Sequence, residues 1–321
     1  MKCFSKSLIV IFIFLITCIG SSILSKSIDI SWILISRNDD YCGNPMERLK
    51  TTLHHLFKKL HQYGLEQSNE VILIDWNSEI PIVNNPQIDK WLQETNYNLK
   101  VLEVPPELAQ KITDSKLSEV HGLNAAARRA NGHFIIRIDQ DCVVGDEIFE
   151  FICKNCKEDP NLYNTVWWCT RRNTTLKQYR DFIKDPETFL AKNAEKTKSM
   201  MCKKNPTYQN LGYHVGILGV PKNIWIEHKG FNEQLVYYGT MELELFPRLK
   251  EKNASITYLN EWLRMQNPVY HIWHKNYLMQ KDRKYNTHIF HLDEKNNIYK
   301  LKPNDENWGL AHFDLNIAVA H

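Results

Sequence analysis

The residues best placed to do chemistry are Asp139-Gln140-Asp141, which close an apolar run of high β-propensity, Phe134 to Ile138. Such a run reads as a strand buried on both faces of a sheet. Two carboxylates two residues apart at its end are costly unless something neutralises them. A hard divalent cation does so readily, because it prefers carboxylate oxygens and water. Ligands of open α/β sheets gather beyond the carboxyl ends of the strands, so Asp139, Gln140 and Asp141 predict a metal-and-phosphate site. Further along, Glu242 and Glu244 open a helical pattern, Met241 to Lys250, where negative charge also suits a helix N-terminus. His271 and His274 lie in Val269 to Asn276, and imidazole suits a borderline divalent ion beside carboxylates.

The surrounding elements must deliver these groups to one place. Ile28 to Ser36 reads as a first buried strand, followed by Arg37-Asn38-Asp39-Asp40. Met46 to Tyr63 carries Leu49, Leu53, Leu56, Phe57 and Leu60 at helical spacing. Glu70 to Asp75 is a second strand that ends in an acid. Asn98 to Val104 is a third, closed by Pro105-Pro106. Leu117 to Ala130 is a helix stopped at Asn131-Gly132, and the Phe134 strand follows. Phe149 to Cys156 predicts a helix and Thr165 to Arg171 a strand, whereas Asp181 to Lys204 is polar and weakly patterned and reads as a loop or insertion. Strands alternating with helices predict an α/β fold, a mostly parallel central sheet with helices on both faces.

The chain has 321 residues, enough for one large α/β domain or two small ones, and its net charge of +3 is too small to argue for nucleic acid. Lys2 and Lys6 precede the apolar segment Leu8 to Ile19, with small residues beyond it. That is the layout of a secretory signal peptide or a single-pass signal anchor over 1–27, and it predicts the secretory pathway. The triplets starting at Asn173 and Asn253 are N-glycosylation acceptors, and six cysteines beyond the segment suit an oxidising compartment. Trp262, Trp273 and Trp308 read as core.

From about residue 28 onward, the order and spacing of these motifs resembles a GT-A glycosyltransferase of the family-2 type. IDWNS stands where that family has an acid-rich turn, so Asp75 takes the place of the acid that contacts the nucleobase. Asn124, Arg128 and Gly132 match its following helix, with Ala126 in place of a glycine. Asp139-Gln140-Asp141 matches its D-x-D, which holds metal and diphosphate. Gly230-Phe231-Asn232-Glu233, Gly239 and Arg248-Leu249 match its acceptor-side segment.

The resemblance implies a Rossmann-like donor half over 28–145 and an acceptor half with a C-terminal tail over 146–321. It implies Mn²⁺ or Mg²⁺ held by Asp139, Asp141 and His271, with His274 the alternative to His271. It implies a UDP-sugar or similar nucleotide-diphosphate donor held by Arg37, Asp75, Asn124, Arg128, Asp139 and Gln140. In inverting members an acid at the start of the acceptor helix deprotonates the acceptor hydroxyl, which is Glu242 or, two positions on, Glu244. The expectation is an inverting hexosyl- or N-acetylhexosaminyltransferase acting on a glycan, glycoprotein or glycolipid in the Golgi or ER lumen, membrane-anchored or secreted. The alternatives are a retaining transferase on the same fold, or a secreted carbohydrate-binding protein, which the departures at Ala126 and Glu242 keep open.

Overall fold

The computed structural model describes residues 28–158, 164–193, 215–259, 269–274, 284–286, 301–315 and 317–320. The expected signal segment, Cys202 and Trp262 lie outside these residues. Among the described residues no helix is long and apolar enough to cross a membrane.

The first half alternates as the apolar runs require. Strand β1 (Ile30–Ser36) is followed by helix α1 (Pro45–Gln62), β2 (Asn69–Trp76), α2 (Pro86–Thr95), β3 (Leu99–Val104), α3 (Pro106–Ile112), α4 (Glu119–Arg129) and β4 (Phe134–Ile138). After Asp139-Gln140-Asp141 come β5 (Cys142–Val144), α5 (Asp146–Glu158), β6 (Thr165–Thr170), β7 (Arg172–Asn173), α6 (Leu176–Lys184) and α7 (Pro186–Asn193). The remainder comprises β8 (Val215–Pro221), α8 (Lys222–Glu227), α9 (Met241–Glu251), β9 (Ser255–Tyr258), β10 (Val269–His271) and β11 (Ile317–Ala320).

Eight strands form the main sheet in the order β11-β3-β2-β1-β4-β8-β6-β9. Strands β3, β2, β1 and β4 pair in parallel, whereas β8 runs antiparallel to both β4 and β6. Side chains alternate across the sheet because successive strand residues point to opposite faces. Ile30, Trp32 and Leu34 of β1 pack with α1, α2 and α5, while Ile33 and Ile35 pack with the layer of α3, α4, α8 and α9. This is the expected α/β architecture, mostly parallel at its centre and covered on both faces.

A second sheet, in the order β5-β10-β7, sits beside the carboxyl end of β4. There the structure departs in part from the expected loop or insertion over 181–204, because Leu176–Lys184 and Pro186–Asn193 are helices, while 194–204 lie outside the described residues. Thr175 and Gln178 build a capping box at the start of α6. Phe182 and Phe189 meet edge to face at 5.2 Å and bury against Tyr270 and Val143. Tyr179, Ile183 and Leu190 pack against the same cluster, partly buried. Cys142 and Cys169 are buried free thiols within the sheets, so these two of the six cysteines form no disulfide.

Candidate active site

Strand β4 ends at the centre of the main sheet, and the chain leaves it through Asp139-Gln140-Asp141 into β5. Strand β10 lies antiparallel on β5, with His271 opposite Cys142. The backbone N–H of Ile272 donates to the Asp141 carbonyl at 2.8 Å. Thr174 fixes the next residues: its N–H donates to the His271 carbonyl at 3.0 Å, and its hydroxyl accepts from the Trp273 N–H at 2.7 Å. Asp141 Oδ2 consequently faces His271 Nε2 at 3.5 Å and His274 Nε2 at 3.3 Å, and the two imidazoles meet at 4.9 Å between centroids.

One carboxylate oxygen and two imidazole nitrogens within 4.8 Å of one another can hold a metal ion. Burial pushes the Asp141 carboxyl up, but the imidazoles of His271 and His274 more than offset it and hold the group well below the usual carboxylate range. Burial lowers the His271 pKa against the opposing charge of Asp141. An ionised carboxylate and a neutral imidazole are the forms that bind metal. Asp139, Asp141 and Cys142 also converge, but burial drives the Cys142 thiol well above its ordinary value, which disfavours a thiolate ligand.

Asp139 has different partners. Its Oδ1 lies 2.5 Å from Nη2 of Arg137, and its Oδ2 pairs with Arg171. Arg137 is the charged residue inside β4, two positions before Asp139 and therefore on the same face. Its Nη1 reaches Glu242 Oε1 at 3.3 Å. A chain of alternating charge, Glu242–Arg137–Asp139–Arg171, buried at its first two members, thus joins the start of α9 to the candidate metal ligands. Burial raises the Glu242 pKa, with Arg137 opposing.

Glu244 is engaged otherwise. Its two oxygens accept from Arg248 Nε at 2.8 Å and Nη2 at 2.9 Å, and Arg248 also donates to the carbonyls of His228 and Gly230. Thr240, immediately before α9, has a left-handed backbone (φ 71°) and a buried hydroxyl without a partner. A β-branched residue rarely adopts this conformation.

Arg37 lies beside a cleft of about 450 Å³ beyond the carboxyl ends of β1, β2 and β3, which Asn77, Glu79, Asp114 and Lys116 also line. Tyr237 donates to Asp114 at 2.6 Å, which ties the rim of this cleft to the loop ahead of α9. Asn286 holds that loop from beneath, donating to the carbonyls of Tyr237 and Gly239. Asp75 is only 1% exposed. Its carboxylate accepts from the Ser78 hydroxyl and from the Ile82 N–H at 2.6 Å, and burial pushes its pKa up to about 6. Gln140 accepts from the Ser36 hydroxyl.

Asn124 and Arg128 make contacts internal to the fold. The Asn124 amide donates to the Phe231 carbonyl and accepts from its N–H, at 2.8 and 2.9 Å. The adjoining Gly230 has φ 67°, and a Cβ there would lie 2.1 Å from Asn124 Oδ1, so glycine is required. Arg128 lies over the Trp308 ring and donates to the Trp308 carbonyl at 3.0 Å, anchoring the C-terminal segment. Trp308 is buried, in keeping with a core role. Sequence reasoning passed over Arg137, Arg171 and Thr174. Only Arg137 carried a signal, an arginine inside an otherwise apolar strand.

No described protein family matches the sequence, and no curated protein matches it. In structure the chain is similar to GalNAc-T7 with UDP, GalNAc and Mn²⁺, at 13% identity and a TM-score of 0.48 over 78% of this chain and 44% of that one. It is similar to S. aureus TarS 1-349, at 14% identity and a TM-score of 0.46 over 76% of this chain and 60% of that one. It is also similar to Drosophila β1,4-galactosyltransferase 7 with manganese, UDP-Gal and xylobiose, at 12% identity and a TM-score of 0.45 over 88% and 83%. The chain spans less than half of the GalNAc-T7 chain and about three fifths of the TarS chain. These likenesses concern the path of the chain.

Proposed function

We propose that the protein is a metal-dependent, inverting glycosyltransferase that moves a hexosyl or N-acetylhexosaminyl group from a nucleotide-diphosphate sugar, UDP-linked in the first instance, to a hydroxyl of a glycan, glycoprotein or glycolipid. The observation that carries this reading is the convergence of Asp141, His271 and His274 at the carboxyl end of the central strand, joined through Asp139 and Arg137 to Glu242.

Asp141, His271 and His274 would hold the cation. Bound there, Mn²⁺ or Mg²⁺ would neutralise charge developing on the departing diphosphate. The cleft beside Arg37, Asn77 and Lys116 offers room and polar groups for the nucleoside. Glu242 accepts the proton of the acceptor hydroxyl as its oxygen attacks the anomeric carbon. Its raised pKa makes it a better proton acceptor than an exposed glutamate, and Arg137 fixes its orientation. Glu244 has both oxygens committed to Arg248, which favours Glu242 for this role.

The basic and apolar pattern of 1–27 and the exposed Asn173 and Asn253 support a lumenal or secreted location, with the segment as a cleaved signal peptide or a single-pass anchor. The direct test of activity is hydrolysis of sugar nucleotides by purified protein with Mn²⁺. Slow, metal-dependent release of the nucleoside diphosphate is expected; a binding protein without a working centre would release none.

A further inference from the structure

Two arginines share Asp139, and they differ in what else they touch. Arg137 is committed on both sides, to Asp139 and Glu242, and its side chain is 6% exposed. Arg171 reaches Asp139 through Nη1, yet its side chain keeps 19% of its surface exposed at the edge of the acidic centre. A guanidinium has five donors in a fixed fork, and this contact uses one nitrogen.

The fold makes specific room for this side chain. The pairing of β6 with β8 loses register between Cys169 and Thr170, so Arg171 follows an interrupted ladder. On β8, Gly216 faces it, and a Cβ there would lie 2.6 Å from the Arg171 Cβ. Strand β7 starts at the next residue, and its Asn173 is in register with His271. Arg171 is thereby held on the same strand segment that positions the histidine pair. Asp139 and Glu242 together balance Arg137 and Arg171, which leaves the Asp141 carboxylate to the cation.

We infer that Arg171 is a donor-binding residue, whose guanidinium grips the diphosphate of the sugar nucleotide beside the metal, and that Asp139 serves to hold Arg171 in that position. This rests on the transferase reading above. The planar fork matches paired phosphate oxygens, and charge-assisted hydrogen bonds of this kind are the strong ones. Lysine would supply the charge without the fork.

The test measures binding of Mn²⁺ alone, UDP with Mn²⁺ and UMP with Mn²⁺ by calorimetry, with a melting curve for every variant. Arg171→Gln should bind Mn²⁺ as the parent does, weaken UDP by roughly ten- to a hundredfold, as expected for one lost charged hydrogen-bonding group, and weaken UMP much less. Arg171→Lys keeps an ion pair with Asp139 and guards against misfolding. It should melt like the parent and still lose UDP affinity. UDP bound by Arg171→Lys as tightly as by the parent, or equal loss of UDP and UMP in a destabilised Arg171→Gln, overturns the inference. A parent that binds no UDP with Mn²⁺ defeats the UDP-transferase reading and this inference with it, whereas a parent that binds UDP beside an unaffected variant defeats the inference alone.

Discussion

The carboxylate of Glu242 lies 3.3 Å from the guanidinium of Arg137, and both side chains are buried. Glu244, two residues on, is bound instead by Arg248. The two acids therefore have separable duties. Glu242→Gln keeps size and most hydrogen bonding while removing basicity. It should leave Mn²⁺ and UDP binding nearly unchanged and lower turnover by roughly 10²- to 10⁴-fold. Glu244→Gln should mainly lower stability, by about 1–3 kcal/mol for a broken buried charged hydrogen bond. Steady-state kinetics and thermal melts separate the two. Full turnover in both variants would point to the retaining class, which the product anomer seen by NMR would decide.

The same pair sets the pH dependence. Burial raises the Glu242 pKa above the ordinary glutamate value of 4.5, and Arg137 pulls it back. Glu242 must be ionised to accept a proton, so turnover should fall as pH drops through this raised pKa. Arg137→Gln removes the opposing charge, although Asp139 and Arg171 still face the carboxylate. The acid limb of the pH–rate profile should then move to higher pH. An unmoved limb would mean that the limb belongs to another group.

Asp75 gives a prediction on stability. Its pKa rises from 3.8 to about 6 on folding, and the group is 1% exposed. A raised carboxylate pKa means that the folded state binds the proton more tightly, so the group costs nothing extra below about pH 3.8 and costs increasingly as pH rises through about 6, reaching roughly 3 kcal/mol. Asp75→Asn removes that dependence. Its melting temperature should gain on the parent between pH 4 and pH 7, and a constant difference would contradict the assignment. If Asp75 also contacts the nucleobase, UDP affinity should fall in the same variant.

Much of this architecture could be read in the chain because contiguous residues encode it. The apolar runs at Ile30–Ser36, Asn69–Trp76 and Phe134–Ile138 are whole strands, and Asp139-Gln140-Asp141 sits at the end of one. The groups that complete the site are legible only in three dimensions. Arg171 and Thr174 reach it because β7 pairs with β10, a contact across nearly a hundred residues that no local periodicity announces. Asn124 and Arg128 match the family pattern in spacing, yet their partners are Phe231 and Trp308, which a linear motif does not reveal. The helices α6 and α7 escaped notice because the stretch is mostly polar and its few apolar residues, Tyr179, Phe182 and Ile183 on α6 and Phe189 and Leu190 on α7, find their partners Val143 and Tyr270 only in the folded chain.

The proposed location rests on exposed Asn173 and Asn253 together with the pattern of 1–27. Expressed in a eukaryotic secretory host, the protein should carry glycan on at least one of them, removable by an N-glycosidase and visible as a mass shift. Unglycosylated protein recovered from cytosol with residues 1–27 intact would count against it.

The central claim is that Asp141, with His271 and His274, holds the cation on which donor binding depends. The most direct measurement is a calorimetric titration of UDP, with and without Mn²⁺, into the parent and Asp141→Ala. The parent should bind UDP far more tightly with Mn²⁺ present, and Asp141→Ala should show no metal-dependent gain. An Asp141→Ala protein that binds UDP and Mn²⁺ as tightly as the parent would contradict the account.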